Sequence, residues 1–270
     1  MIGSTAGSIH PIGERWRSVI GSVRSLVIYH GNPIRKWRMD RLYSHFVRQG
    51  DLVFDIGSHV GDRIGSFRRL GCHVIAVEPQ PRLVEILQHL YGRDPNVAIE
   101  PTAIAAAIGS IEFFVNLKNP SLSTASSAFI AAASAARGWC GERWPGRLIA
   151  PTTTLDRLIE RYGEPAFVKI DVEGFEAEVL AGLSRPLRAF SFEFTTILRR
   201  VAIACVTRCQ ALGAYRFNAA LGESQRLSFA EWVDAGQIER WLRALPESAN
   251  SGDIYARLRE APQPSRPPRG

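Results

Sequence analysis

Two acidic residues and a pair of glycines in the first third of the chain have the spacing of a nucleotide-binding site. Asp55 lies in an apolar run that leads into Gly57 and Gly61, and Glu78 follows the next apolar run. Glycines let the backbone turn tightly and let a ligand approach it closely. In a strand–helix–strand unit, a carboxylate that ends the second strand accepts hydrogen bonds from both ribose hydroxyls of an adenosine. The sequence therefore predicts that Glu78 binds a ribose.

The residues of the glycine turn distinguish between nucleotides. A pyrophosphate-binding turn would read Gly-x-Gly-x-x-Gly, and His59 stands where its second glycine would be. Asp55 adds a carboxylate that disfavours a pyrophosphate and favours an ammonium group. S-adenosylmethionine has no phosphate but carries an ammonium and a sulfonium group, so it fits this turn better than a nicotinamide dinucleotide does. A nicotinamide-dependent oxidoreductase on the same fold stays open as an alternative.

A third motif lies in the second half of the chain. Lys169-Ile-Asp171-Val-Glu173-Gly follows a buried strand and precedes a helix with Val-Leu-Ala-Gly, and Thr-Leu-Asp-Arg-Leu occurs upstream at residues 154–158. Together with the segments around Asp55 and Glu78, this pattern resembles the FkbM family of methyltransferases over about residues 50–194. The resemblance implies a Rossmann-like α/β fold, with the seven-stranded sheet of class I methyltransferases flanked by helices. One strand of that sheet is antiparallel, and the methyl donor is S-adenosylmethionine.

The resemblance also assigns roles to residues by position. The turn after the first strand would line the methionine part of the donor, and Asp171 would hold the donor's ammonium group, the acceptor, or both. Family members often carry Ala-Asn where this chain has Ser58-His59, which leaves the role of His59 open. The residues predicted to bind the donor are Asp55, Gly57, Ser58, Gly61, Glu78, Pro79 and Asp171.

The reaction expected at such a site is in-line attack of an acceptor oxygen on the methyl group. The protein aligns the two reactants, and a base must take the proton of an alcohol nucleophile. The residues predicted to act in catalysis are Asp171, Glu173, Glu193 and His59. A plainer role is open for three of them: Glu173 could stabilise a helix N-terminus, and Glu193 or His59 could be structural. Clustered carboxylates could also bind Mg²⁺, although no spacing in the sequence establishes such a site.

Alternating apolar runs and helical stretches must position these residues. From Asp51 onward the pattern is typical of βα units and a parallel sheet. We predict a helical N-terminal extension (1–50), a methyltransferase domain (51–260) and a disordered tail (261–270), with an irregular insertion over the site at 118–151. Ser228 and Glu231 have the spacing of a capping box and predict a helix that begins there. The predicted strands are 52–56, 73–77, 97–103, 167–170, 189–194, 215–218 and 253–258, with an additional extended piece at 111–115.

Charge and composition limit the partners. The net charge of +7 permits an anionic partner, but the arginines are scattered, and no aromatic and basic stripe indicates a nucleic-acid-binding surface. We therefore expect a small-molecule or glycan acceptor and no nucleic acid, with RNA methylation as the other alternative.

The same sequence gives expectations about location and assembly. It has neither a leader pattern at its start nor a stretch apolar enough to span a bilayer, and its four cysteines lack metal-site spacing. We expect a soluble, cytoplasmic protein with free thiols. A basic amphipathic helix predicted at about residues 16–27 would cap the domain or pack in a homodimer, with a membrane surface as the alternative.

Overall fold

The computed structural model describes residues 32–259, and strands and helices alternate along this part of the chain. Most strands are short runs rich in Val, Ile and Phe, the residues that pack best on a buried sheet. The predicted strands at 52–56, 73–77 and 167–170 have the observed bounds. The strands are β1 (Leu52–Ile56), β2 (His73–Val77), β3 (Val97–Glu100), β4 (Ala103–Ile104), β5 (Gly109–Val115), β6 (Gly146–Thr153), β7 (Phe167–Ile170), β8 (Ala189–Thr195), β9 (Tyr215–Leu221) and β10 (Ser251–Leu258).

Seven of these strands form one sheet in the order β3-β2-β1-β7-β8-β10-β9. The strand β10 runs antiparallel to both of its neighbours, and the remaining pairs are parallel. Side chains alternate between the faces of a strand, so Phe54 packs in one apolar core and Val53 in another on the opposite face. The predicted Rossmann-like seven-stranded sheet with one antiparallel strand is confirmed.

Helices connect the parallel strands and cover the sheet, as parallel connections require. The first helix begins at Pro33, and the side chain of Asn32 caps it by accepting hydrogen bonds from the next two free backbone N–H groups. Its buried residues Met39 and Tyr43 pack in the same core as Val53. The helices are α1 (Pro33–Tyr43), α2 (Asp62–Arg69), α3 (Pro81–Tyr91), α4 (Ser127–Ala135), α5 (Leu155–Tyr162), α6 (Glu176–Ala181), α7 (Arg199–Leu212) and α8 (Ala235–Ala244).

A second sheet of three strands, in the order β4-β6-β5, corrects two predictions. The single strand predicted at 97–103 is wrong, because the chain leaves the main sheet after Glu100 and β4 pairs with β6. The segment 118–151 is not irregular throughout, since it contains α4 and most of β6. Phe129 of α4 packs against Trp139 and Trp144, and these rings form a small apolar core beside the main sheet.

The helix predicted to begin at Ser228 begins at Ala235 instead. Val233 still pairs with Phe217 as extended chain, so the helix cannot start earlier. Asp234 supplies the capping box: its carboxylate accepts the Gln237 backbone N–H at 2.8 Å, and the Gln237 side chain accepts the Asp234 N–H at 3.1 Å.

Two predictions, the helix at about residues 16–27 and the disordered tail at 261–270, lie outside the described residues. Within residues 32–259, no helix combines the length and the apolar character that crossing a membrane requires.

Candidate active site

The carboxyl ends of the parallel strands bring the predicted site residues to one edge of the main sheet. The last residues of β1, β2 and β7 pair in register, and β8 continues the same level. Glu78 and Asp171 directly follow their strands, and Glu193 lies near the end of β8. Ligands of open parallel sheets bind at this edge.

The turn after β1 packs against the start of the loop that carries Asp171. Gly57 has φ 83°, and a Cβ placed on it would lie 1.9 Å from the backbone oxygen of Asp171. Gly61 has φ 79°, and its added Cβ would lie 2.5 Å from the ring of Tyr91. Both positions therefore need glycine, for the left-handed backbone conformation and for the close approach.

Glu78 is held by the backbone on both sides of it. Its side chain is buried, and its two carboxylate oxygens accept hydrogen bonds from the N–H groups of His59 at 3.0 Å and Gln80 at 2.9 Å. Burial raises the pKa of Glu78 to about 7, although these two hydrogen bonds oppose the shift. Each oxygen keeps a second lone pair, so the carboxylate can still accept bonds from a ligand diol.

A first cavity opens beside Glu78, with a volume of about 520 Å³ including its mouth. Its walls are mainly apolar, with Phe113, Val172 and Phe175 among them, and Pro79 adds to the lining. Phe113 comes from β5, so the small second sheet takes part in the site. A mainly apolar cavity of this size, with the buried Glu78 carboxylate on one side and Asp171 on its wall, has the character of a nucleoside site.

A second cavity, of about 920 Å³ including its mouth, adjoins the first. Six acidic side chains line it, together with Asn119, Trp139, Asn250 and one arginine, Arg63. The cavities share four wall residues: Gly57, His59, Ser121 and Asp171. The acidic residues that line the second cavity are Asp55, Asp62, Asp171, Glu173, Glu193 and Glu223.

Asp171, in the wall between the cavities, is kept ionised by a buried lysine. Lys169 Nζ lies 3.1 Å from Asp171 Oδ2 and 2.9 Å from Asp253 Oδ1, and the lysine side chain is fully buried. Burial opposes ionisation of Asp171, but Lys169 and then Arg63 outweigh it and hold the pKa of Asp171 below its ordinary value. The same pairing raises the pKa of Lys169 despite its burial. Asp171 is therefore a fixed negative charge and a weak base.

Glu173 and Glu193 lie close to Asp171, but their pKa values shift in the opposite direction. The three side chains offer oxygens that all lie within 4.8 Å of one another. Burial and then the charge of Asp171 raise the pKa of both glutamates well above the ordinary range. A carboxylate whose pKa is raised in this way is a stronger base than an ordinary one. Three such oxygens would also suit Mg²⁺, which stays a prediction.

The turn that carries Glu173 is held by a residue that the sequence analysis did not single out. Glu176 Oε1 accepts the backbone N–H groups of Val172 and Gly174 at 3.2 Å each. Glu173 and Gly174 both have positive φ, at 52° and 87°. The interpretation of Glu173 as an acid at a helix N-terminus gains no support, because its side chain lines the second cavity instead.

Asp55 and its neighbours form the floor of the second cavity. Asp55 is buried, and burial raises its pKa to about 7. Its Oδ2 has no hydrogen-bond partner among the described residues, while its backbone oxygen accepts the Ser58 hydroxyl at 2.7 Å. A buried carboxylate oxygen without a donor is a place where a ligand's N–H group would be stabilised. His59 lines both cavities, so it also lies where the predictions put it.

Four further residues approach the site from other elements, and no role was predicted for them. Trp139 comes from the segment predicted to be irregular, and Arg63 follows the glycine turn. Lys169 and Asp253 come from the interiors of β7 and β10. The sequence carried one usable signal, a lysine inside the apolar run Phe-Val-Lys-Ile, because a charged residue in a buried strand needs a partner.

Comparison with known proteins gives a family match over most of this region. The sequence model of the methyltransferase FkbM domain matches residues 55–248. Among curated proteins, the hexuronic acid methyltransferase AglP of Haloferax volcanii is 28% identical over 160 residues. That match covers 58% of this chain and 60% of AglP, so it spans less than two thirds of the relative.

Solved structures with a similar course of the chain include three methyltransferases. A TehB-like SAM-dependent methyltransferase from Corynebacterium glutamicum is 12% identical, with a TM-score of 0.47 over 93% of this chain and 100% of that one. An O-methyltransferase from Bacillus cereus in complex with SAH is 12% identical, with a TM-score of 0.44 over 94% of each chain. A precorrin-6y C5,15-methyltransferase from Geobacter metallireducens is 12% identical, with a TM-score of 0.44 over 84% and 87%.

Proposed function

Because this chain belongs to the FkbM methyltransferase family, we propose that it transfers the methyl group of S-adenosylmethionine to a hydroxyl oxygen of a sugar, free or in a glycan. The observation that carries the proposal is a pair of adjoining cavities that meet at Asp171. One is mainly apolar and has Glu78 as its only carboxylate besides the shared Asp171, and the other is lined by several carboxylates, amides and an indole ring.

The first cavity suits the adenosine of the donor. Glu78 would accept hydrogen bonds from the ribose diol, and Phe113 would contact the adenine. The glycine turn leads from there to the second cavity, where Asp55 and Asp171 would meet the donor's ammonium group. When bound, the donor supplies a methyl group on a positively charged sulfur, and the acidic wall favours that charge.

The second cavity suits a sugar. Carboxylates and the amides of Asn119 and Asn250 accept and donate hydrogen bonds in the variety that sugar hydroxyls require. Trp139 offers an aromatic face to the apolar side of a sugar ring. The name of the relative AglP, a hexuronic acid methyltransferase, supports the same class of acceptor.

The catalytic roles follow from the opposite charge states of the carboxylates. Asp171 is held ionised and would position the reactants. Glu193 and Glu173, whose pKa values are raised, are better placed to take the acceptor's proton. Bringing donor and acceptor into line supplies much of the remaining acceleration, up to roughly 7–11 kcal/mol in favourable cases. His59, on the wall between the cavities, stays a candidate for contact with either reactant.

The proposal is tested by a methyl-transfer screen. The full-length protein is incubated with S-adenosylmethionine labelled in the methyl group and with uronic acids, neutral sugars, glycolipids or RNA, and Asp171→Ala serves as the background control. We expect label in a sugar, in a form resistant to mild base, as an ether is and an ester is not. Label in RNA alone, or in an amine or carboxyl group, would refute the sugar O-methyltransferase.

A further inference from the structure

Arg63 is a basic side chain in an otherwise acidic cavity. It lies in the first turn of α2, directly after the glycine turn, and its side chain is largely buried. Among the described residues that line the second cavity, it is the sole lysine or arginine. Its neighbours on the cavity wall include Asp55 and Asp171, the two carboxylates assigned to the donor's ammonium group.

The position of Arg63 is fixed by a ring of charges. Arg63 Nη1 lies 2.7 Å from Asp62 Oδ2, and Arg35 of α1 contacts the same oxygen at 2.7 Å. Arg35 also contacts Glu223 at 2.8 Å, whereas Arg63 Nη2 is 3.6 Å from Glu223. Two guanidinium groups thus share two carboxylates, and Arg35 takes the shorter contact with Glu223.

This ring leaves the hydrogen-bonding capacity of Arg63 incompletely used. Its Nη2 lies 3.8 Å from Asp171 Oδ2, which is longer than a hydrogen bond, and its Nε has no partner among the described residues. A buried, charged donor without an acceptor is costly, and a carboxylate is the acceptor that a guanidinium binds best. Arg63 therefore calls for an anionic ligand group beside Asp171.

We infer that Arg63 receives the α-carboxylate of the donor's methionine group, while Asp171 and Asp55 receive its ammonium group. The inference rests on the proposed donor site. An amino acid carries its ammonium and carboxylate groups on one carbon atom, and Arg63 and Asp171 offer the two complementary charges 3.8 Å apart. An acceptor carboxylate is the other source of such an anion, but it would have to lie among Glu173 and Glu193 to present its hydroxyl there.

The test compares two donors that differ in this carboxylate alone. S-adenosylmethionine and its decarboxylated analogue are titrated calorimetrically into the wild type, Arg63→Met and Arg69→Met. Arg69 is the matched control, since it lies on the same helix and pairs with Asp40 away from both cavities. We expect the wild type and Arg69→Met to prefer S-adenosylmethionine about ten- to a hundredfold, and Arg63→Met to bind both compounds alike.

The remaining outcomes separate the explanations. If Arg63→Met keeps the wild-type preference, or lowers the affinity for both compounds equally, the inference is wrong. The wild-type preference would also persist if Arg63 bound a carboxylate of the acceptor instead. Arg63→Lys keeps the positive charge but lacks the paired N–H donors of the guanidinium, so it should show an intermediate preference. This variant also tests the inference if the Arg63→Met protein does not fold. Glu78→Gln should weaken both compounds equally. If it weakens neither, the donor site itself fails, independently of Arg63.

Discussion

The two cavities differ in what holds their carboxylates in place. In the first cavity, Glu78 is bound by two backbone N–H groups from neighbouring turns, so its position follows from the local course of the chain. In the second, Glu173 and Glu193 surround Asp171, and charge repulsion with burial raises their pKa values. The first arrangement is suited to orienting a neutral diol. The second is suited to stabilising a cation or to moving a proton.

The comparison also shows where the two functions meet. Asp171 belongs to both cavities and is kept ionised by Lys169, which a second carboxylate, Asp253, holds from the far side. A change at Asp171 should therefore affect both donor binding and the reaction with the acceptor. A change at a residue that lines only one cavity should affect one of these more than the other.

Removal of the Asp171 side chain, which lies in the wall between the cavities, should have the largest effect. We expect Asp171→Ala to lower kcat by about a hundred- to ten-thousandfold, because it removes the ionised group that positions the reactants and leaves Lys169 with half of its neutralising charge. The measurement is the rate of labelled-methyl transfer, with Glu160→Ala on the exposed face of α5 as the control. Activity within about threefold of the wild type would place Asp171 outside the reaction.

Loss of charge in the first cavity should weaken the donor without stopping the reaction. Glu78→Gln keeps the shape but only one of the two backbone hydrogen bonds, because an amide has a single acceptor oxygen. It also loses the charge-assisted bonds to the ribose, so the Kd for S-adenosylmethionine should rise about ten- to a hundredfold. At saturating donor, kcat should stay close to that of the wild type. Glu193→Gln is the paired variant from the second cavity and should leave this Kd unchanged. Equal weakening by both variants would erase the distinction between the cavities.

Donor affinity should fall at low pH. Burial raises the pKa of Asp55 to about 7, so this carboxyl is neutral below pH 7 and charged above it. The charged form is the one that pairs with the ammonium group. The Kd for S-adenosylmethionine should therefore be about eightfold higher at pH 6 than at pH 7.5. Glu78, with a similar pKa, steepens the change in the same direction. Calorimetry on Asp55→Asn should show a flatter profile, and an unchanged profile would exclude Asp55 from the donor site.

The aromatic wall of the second cavity should give the smallest effect. Trp139→Ala removes the proposed contact with the sugar ring, and we expect the KM for the best acceptor in the screen to rise about fivefold. Trp139→Phe keeps an aromatic face and should retain most of the affinity. The Kd for the donor should not change in either variant. A loss of donor affinity with an unchanged acceptor KM would reverse the assignment of the cavities.

The main sheet was predictable because its central strands carry a local signal. β1, β2 and β7 are short apolar runs bounded by turns, and their predicted limits match the structure. The extended piece predicted at 111–115 lies within β5, but its pairing into a small sheet was not predictable, because β5 and β6 pair across a long stretch of chain that contains α4. The alanines of α4 did carry a helix signal, but the serines beside them favoured an irregular interpretation. The first turn of α8 was set by the pairing of Val233 with Phe217, which no local pattern reveals.

The site residues also fall into a group that local sequence patterns could place and a group that they could not. Asp55, Glu78 and Asp171 end or follow predicted strands, so the order of a parallel sheet was enough to bring them together. Trp139, Arg63 and Asp253 reach the site from a corrected segment, a helix face and the antiparallel strand. Their positions depend on tertiary packing, and no spacing in the sequence predicts them.

We propose that the first cavity holds the nucleoside and that the second holds the reacting end of the donor together with the acceptor. A crystal structure of the protein with S-adenosylhomocysteine would show which groups each cavity binds. We expect both ribose hydroxyls within hydrogen-bond distance of the Glu78 carboxylate, and the homocysteine amino group beside Asp55 and Asp171. A nucleoside bound among Glu173, Glu193 and Trp139, with Glu78 untouched, would contradict it.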